Sequence, residues 1–179
     1  MSFPSLDTST IRTLFQRTRK PYIFAPLGNG PLFRHMGIAE SHIHIMDWWE
    51  SKHVEVEIPA TTDDGEAQKA AFDVTCTPCQ HFTGRGIFDR FKTLWASWVV
   101  QEAAAGSSDV QKPTTDFTGV KVYFAGDTGY RSVPEGMNED EVPTCPAFLE
   151  IGERFGGFDF AMIPIGCVSP IYMMLRFSS

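Results

Sequence analysis

A chain of 179 residues that is 42% hydrophobic and 13% aromatic suits one globular domain with a single core, which excludes disorder of the chain as a whole. Its formal net charge of -7 argues for no nucleic-acid partner, since no basic stripe is present to neutralise phosphates; the short cluster Arg12, Arg17, Arg19 and Lys20 reads as a solvated helix face. No apolar run approaches the ~20 residues that span a bilayer, and Met1 to Ser5 lack the layout of a signal peptide.

Four scattered cysteines, Cys76, Cys79, Cys145 and Cys167, fit a reducing compartment better than a disulfide scaffold. The expected location is therefore intracellular, either cytoplasmic or peripheral to a membrane.

In chain order, Asp7, Thr8 and Ser9 are capping residues ahead of Ile11, Leu14 and Phe15, whose spacing predicts a short helix ending before Pro21. Tyr22 to Ala25 is a small strand closed by Pro26 and Gly28-Asn29-Gly30, and Pro31 to Met36 forms a helical turn. This alternation suggests an α/β layer design. His42-Ile43-His44-Ile45 alternates, which predicts a strand with both imidazoles on one face. Such a pair binds zinc only if a third ligand arrives, and is otherwise polar surface.

Val54, Val56 and Ile58 alternate with Glu55 and Glu57 in a one-sided strand, Ala60 to Lys69 is a polar loop, and Phe72 to Cys76 is the hairpin partner. Lys92 to Gln101 is expected to be a strand with Trp95 and Trp98 on opposite faces, followed by a small-residue loop over 101–118. Lys121 to Tyr130 reads as a buried strand ending in a polar turn at Gly126, which delivers Asp127 to the rim of a sheet. There the carboxylate either binds a metal or substrate or closes an Asx-turn on its own backbone. His81 stands just past another strand-like run, Ala71 to Cys76. Residues 131–144 form an acidic, proline-bearing loop. Pro146 then opens a helix with Phe148, Ile151 and Phe155 on one face, Gly156-Gly157 stops it, and Phe158 to Ile165 is the last strand.

Cys76-Thr77-Pro78-Cys79 has the spacing of a redox or zinc motif, but such a pair needs a following helix or a second cysteine pair. Gln80-His81-Phe82-Thr83-Gly84 is not a helical pattern, and Cys145 and Cys167 stand alone in the sequence.

Six segments, in order, carry a more specific signal: Asp47-Trp48-Trp49-Glu50, Gln80-His81, Leu94-Trp95-Ala96-Ser97-Trp98, Phe124-Ala125-Gly126-Asp127-Thr128-Gly129-Tyr130, Cys145-Pro146-Ala147-Phe148 and Ile163-Pro164-Ile165-Gly166. From about Leu6 to about Gly166 the chain resembles the phospholipase D family that hydrolyses N-acyl-phosphatidylethanolamine, within the metallo-β-lactamase superfamily. The resemblance implies an αββα sandwich with two zinc ions along one edge. It also implies hydrolysis of a phosphodiester bond, which frees N-acylethanolamine from phosphatidic acid. Paired zinc ions suit that reaction because they clamp a phosphate and lower the pKa of a bound water.

Carried over by position, His81 matches a metal ligand, and Asp127 matches the catalytic carboxylate that bridges both metals. Gln80 is expected to support His81, and Thr128 to orient Asp127. The implied partner is a phospholipid substrate reached by peripheral membrane contact, and a homodimer is an assembly open to the full-length enzyme.

The departures are equally specific. The family's His-x-His-x-Asp-His precedes Leu-Asp, whereas Met1-Ser2-Phe3-Pro4-Ser5 precedes Leu6-Asp7 here; at the other end Cys167-Val168-Ser169-Pro170 replaces the segment with the last histidine ligand. His42-Ile43-His44-Ile45-Met46-Asp47 precedes the Trp-Trp pair and is a look-alike. The expectation is one incomplete domain over 1–179, a partial sandwich lacking its N- and C-terminal portions. It should bind metal weakly, show little or no activity, and expose apolar faces such as those bearing Phe124 and Phe160. Two alternatives stand beside it: a non-catalytic lipid- or partner-binding remnant, and a hydrolase of the same fold with another substrate.

Overall fold

Residues 7–17, 21–59, 68–81, 92–103, 119–131, 133–134 and 136–164 are described by the structure, a computed structural model. The chain divides into two compact units, Met1–Asp47 with Phe82–Trp95, and Trp48–His81 with Ala96–Ser179.

In the first unit, helix α1 (Thr8–Gln16) begins where the sequence places its cap: Asp7 Oδ1 accepts the amides of Ser9 at 2.9 Å and Thr10 at 3.1 Å. Its Ile11 and Phe15 pack on a small core of Ala25, Phe33, Ile38 and Ile43. Strand β1 (Ile23–Pro26) runs parallel to β2 (Ile43–Met46), with helix α2 (Gly30–His35) between them in the chain.

The expected alternating histidine strand is corrected here. His42 closes a 3-10 turn over Glu40–His42, and only His44 lies in β2. His42 stacks on Tyr22 at 5.1 Å and its Nδ1 lies 3.3 Å from the Pro21 carbonyl, while His44 stacks on Phe24 at 5.0 Å. Both rings also lie against Tyr22, which His44 meets at 5.6 Å.

The Asp7 carboxyl is held below its ordinary value, chiefly by the Thr10 hydroxyl and then by the Thr10 amide. A depressed carboxylate stabilises the fold above its unfolded pKa, and that contribution is lost as pH falls through the folded value. The amide shifts of Ser9 and Thr10 are therefore expected to titrate with a midpoint below about 3.9, the value for a free aspartate. An NMR titration with a midpoint at or above that value would remove the cap.

The second unit is a five-stranded sheet in the order β3 (Ser51–Ile58), β4 (Gln68–Thr77), β5 (Ser97–Ala103), β6 (Lys121–Phe124) and β7 (Phe160–Met162). Neighbours are antiparallel except β6 and β7, which are parallel. The β3–β4 hairpin has the expected partners, with Val54 opposite Phe72. Several strand boundaries differ from the sequence reading; β7 covers Phe160–Met162 rather than Phe158 to Ile165, and Ile165 lies outside the described residues. β4 already includes Gln68 and Lys69, which pair with Ile58 and Glu57; residues 60–67 lie outside the described residues. β5 starts at Ser97, leaving Trp95 ahead of the strand rather than on one of its faces. It also runs on to Ala103, so residues 101–103 belong to the sheet and 104–118 lie outside the described residues. In the loop over 131–144, Arg131 and Thr144 form an isolated bridge, and Glu139–Glu141 makes a 3-10 turn.

Helix α3 (Pro146–Phe155) has its proline in the first turn and ends on Gly156, whose φ of 69° is the left-handed conformation that a helix stop favours in glycine. Its Ile151 and Phe155 pack on Val99, Tyr123 and Ala125. On the same sheet face a row of register partners, His53, Asp73, Gln101 and Lys121, brings polar groups into the interior. Lys121 answers its burial by donating its ammonium to the Phe155 carbonyl at the end of α3. The opposite face carries Trp98, Val122, Phe124, Phe160 and Met162, of which Phe124 is 47% and Phe160 58% exposed. The mixed α/β class matches the expectation.

Candidate functional site

β4 and β6 both run antiparallel to β5, so their C-terminal ends lie at one edge of the sheet, where β3 and β5 begin. β7 is parallel to β6 and ends there as well. Sheet topology thus gathers Trp48-Trp49-Glu50, Gln80-His81, Ala96-Ser97-Trp98, the Gly126 to Tyr130 turn and Ile163-Pro164 along one rim.

Hydrogen bonds stitch the rim together. The Gln80 amide donates to Thr128 Oγ1 at 2.8 Å, and the Gly129 amide donates to the Gln80 carbonyl at 2.9 Å. His81, one residue beyond Gln80, and Asp127, one residue before Thr128, are both exposed. Below them Ser97 Oγ donates to the Pro78 carbonyl at 2.9 Å and meets Thr77 Oγ1 at 2.8 Å, holding the chain as it leaves β4. On the far side of the turn, the Cys145 amide donates to the Tyr130 carbonyl at 3.0 Å.

Trp49 is the one non-glycine among the described residues with a left-handed backbone, φ 68°. A bulky residue held there costs about 1–3 kcal/mol. Several contacts oppose that cost. Its amide donates to the Cys76 carbonyl at 2.7 Å, and the Arg154 guanidinium lies 4.0 Å over its ring. Glu150 holds Arg154 in that position at 2.7 Å.

Under the rim lies a group of thiols and hydroxyls. Burial pushes the Cys79 thiol up to about 12, the nearby Cys145 adds to the rise, and a hydrogen bond with Thr128 opposes it. Burial likewise raises the Tyr123 phenol, with Cys79 and Cys145 as further causes. Cys76, by contrast, sits within β4 on the face it shares with Trp98.

Among the described residues, no group of three His, Cys, Asp or Glu side chains could hold a metal ion. His81 and Asp127, the ligands expected from the sequence, stand on the same rim; a catalytic zinc site normally has three protein ligands, and the described residues do not complete one. Gln80 and Thr128 touch each other through the Gln80 backbone, which joins the loops bearing His81 and Asp127.

The family model described as the Beta-lactamase superfamily domain matches residues 5–178. The chain is similar to an uncharacterized protein of Mycobacterium tuberculosis, 30% identical over 164 residues, which are 92% of this chain and 32% of that protein. It is similar to N-acyl-phosphatidylethanolamine-hydrolyzing phospholipase D 1 of Caenorhabditis elegans, 26% identical over 175 residues, 96% of this chain and 38% of the relative. The mitochondrial N-acyl-phosphatidylethanolamine-hydrolyzing phospholipase D of Saccharomyces cerevisiae is 25% identical over 126 residues, 70% of this chain and 19% of the relative. The chain spans less than two-fifths of the length of each of these relatives.

Proposed function

The chain belongs to the beta-lactamase superfamily, and from that premise we propose that it forms part of the catalytic edge of a phospholipase D-type hydrolase. The substrate is N-acyl-phosphatidylethanolamine, reached by peripheral contact with a membrane, and the products are N-acylethanolamine and phosphatidic acid. His81 and Asp127 are its contribution to a zinc site. The observation that carries this reading is the pair of bonds from Gln80 to Thr128 and Gly129, which holds the two candidate ligands on adjoining loops. The named activities of the nematode and yeast relatives support the substrate class.

Two donors bind zinc weakly, so this chain by itself is expected to hold the ion loosely and to hydrolyse little. Zinc titration against a competing chelator tests the ligand assignment. His81→Ala and Asp127→Asn should each lower affinity at least about tenfold, a loss of roughly 1.4 kcal/mol. Two tightly held zinc ions per chain, or affinity indifferent to both substitutions, would overturn it. Incubation with labelled N-acyl-phosphatidylethanolamine in excess zinc tests the substrate: any release of N-acylethanolamine should disappear in Asp127→Asn.

A non-catalytic lipid-binding role is favoured by one observation, the exposed apolar row of Phe124, Phe160 and Met162. Flotation of the chain with vesicles, with no hydrolysis of labelled lipid in excess zinc, would select it.

A further inference from the structure

We propose that Ser97 is a positioning residue of the rim, whose hydroxyl fixes the direction in which the chain leaves β4 and, through Gln80, the places of His81 and Asp127. The inference deepens the hydrolase reading and rests on it for the roles of those two side chains.

Ser97 has one hydrogen to donate, and its surroundings decide where that hydrogen goes. Thr77 and Ser97 are the last register pair of β4 and β5, so the ladder between these strands ends with them. Pro78 comes next. It has no amide hydrogen of its own, and because the residue is buried its carbonyl has to find a donor inside the protein. Ser97 Oγ lies 2.9 Å from the Pro78 carbonyl and 3.3 Å from that of Thr77, so the nearer Pro78 oxygen takes the proton. Thr77 Oγ1, 2.8 Å away, then donates to Ser97 Oγ. Thr77 and Ser97 are both 0% exposed, so water cannot stand in for either hydroxyl.

Two residues after Pro78 the chain is fastened again. The Gln80 amide donates to Thr128 Oγ1 at 2.8 Å, and the Gln80 carbonyl accepts the Gly129 amide at 2.9 Å. The segment 78–80 is thus held at its start by a side chain of β5 and at its end by the turn after β6. Between the two fastenings Cys79 is 5% exposed. His81 follows Gln80 and Asp127 precedes Thr128, so both candidate ligands hang from this one segment. A buried carbonyl that loses its donor costs more than the bond is worth, and release at Pro78 relieves that cost by moving the segment. The movement would reach both ligands, because the bonds that hold Gln80 also hold the Asp127 turn.

Amide hydrogen exchange followed by NMR on the full chain, without metal, tests the proposal. The Gln80 and Gly129 amides report the segment, and the Val99 amide inside β5 reports opening of the whole sheet. In Ser97→Ala the first two should exchange at least about fivefold faster relative to Val99, the size of effect expected when one buried bond is lost from a locally opening segment. Ser97→Cys keeps a weak donor in the same place and should fall between the wild type and Ser97→Ala. Thr75→Val is the control for a merely structural loss: Thr75 is 4% exposed, and its hydroxyl meets Ser51 Oγ at 2.7 Å, on β3 rather than on the segment 78–80. It should lower the unfolding midpoint and leave the ratio to Val99 unchanged.

An unchanged ratio in Ser97→Ala overturns the proposal, as does an equal rise in Thr75→Val. Where Ser97→Ala does not fold, the ratio in Ser97→Cys decides in the same way. Zinc affinity indifferent to His81→Ala would instead remove the ligand role of His81, and the exchange ratios, read without metal, would still show whether Ser97 holds the segment.

Discussion

Phe155→Ala is expected to destabilise the second unit by about 3–5 kcal/mol, the cost of emptying a filled aromatic site in a core. The side chain is 1% exposed and lies among Val99, Tyr123, Ala125 and Ile151, with the Phe158 ring 5.9 Å away. Removing it empties a site in the core that Ile151 of α3 shares with the sheet, with Trp49, Phe148 and Phe158 packed against it. The Phe155 carbonyl, which receives the Lys121 ammonium, is kept in the variant, so the loss reports the side chain. Urea denaturation followed by tryptophan fluorescence measures the loss. Exposed Leu149, on the same helix, is the control, and Leu149→Ala should change stability by less than about 0.5 kcal/mol. A Phe155→Ala loss of under about 1 kcal/mol would mean that α3 is not held to the sheet by this contact.

Asp73→Ala should cost nearly as much, about 3–5 kcal/mol, for a different reason. Asp73 is 2% exposed and its Oδ1 lies 2.8 Å from His53 Nδ1, so it accepts the imidazole N–H inside the sheet's covered face. The carboxylate is flanked by register partners His53 and Gln101, with buried Lys121 beyond Gln101. Deleting one anion from such a row leaves a half-buried imidazole without its acceptor, and the cost of an abandoned partner exceeds the value of the pair itself. The test is a double-mutant cycle with His53→Ala. Coupling near zero between the two positions would show that the ring and carboxylate do not depend on each other. Asp73→Asn keeps the shape and one acceptor, so its cost should be clearly smaller than that of Asp73→Ala.

The parts of this fold that are legible in the sequence are those written by neighbours in the chain. Asp7 caps α1, Pro146 opens α3 and Gly156 closes it, because capping and stopping depend on hydrogen bonds and backbone angles within one turn. The β3 strand is legible from the alternation of Val54, Val56 and Ile58 with charged residues, although the sheet leaves Val56 and Ile58 exposed at 42% and 46% and covers the His53 face instead. The boundaries that differ share a physical cause too. Trp95 resembles a strand residue by propensity, but only pairing with β4 and β6 decides that β5 begins at Ser97. Gln68 and Lys69 look like loop, yet β3 supplies partners for both. His42 and His44 alternate as strand residues would, but a 3-10 turn takes the first of them.

The candidate site divides along the same line. Motif order and residue type by themselves determine the superfamily and nominate His81 and Asp127, because those signals survive without any knowledge of distance. Tertiary structure alone decides that β4 and β6 end together and that Gln80 bonds to Thr128. The physical reason is that strands deliver their ends to an edge according to pairing direction and register, set by backbone hydrogen bonds between residues far apart in the chain. A local pattern can announce a strand, but it carries no record of which other strand will lie beside it.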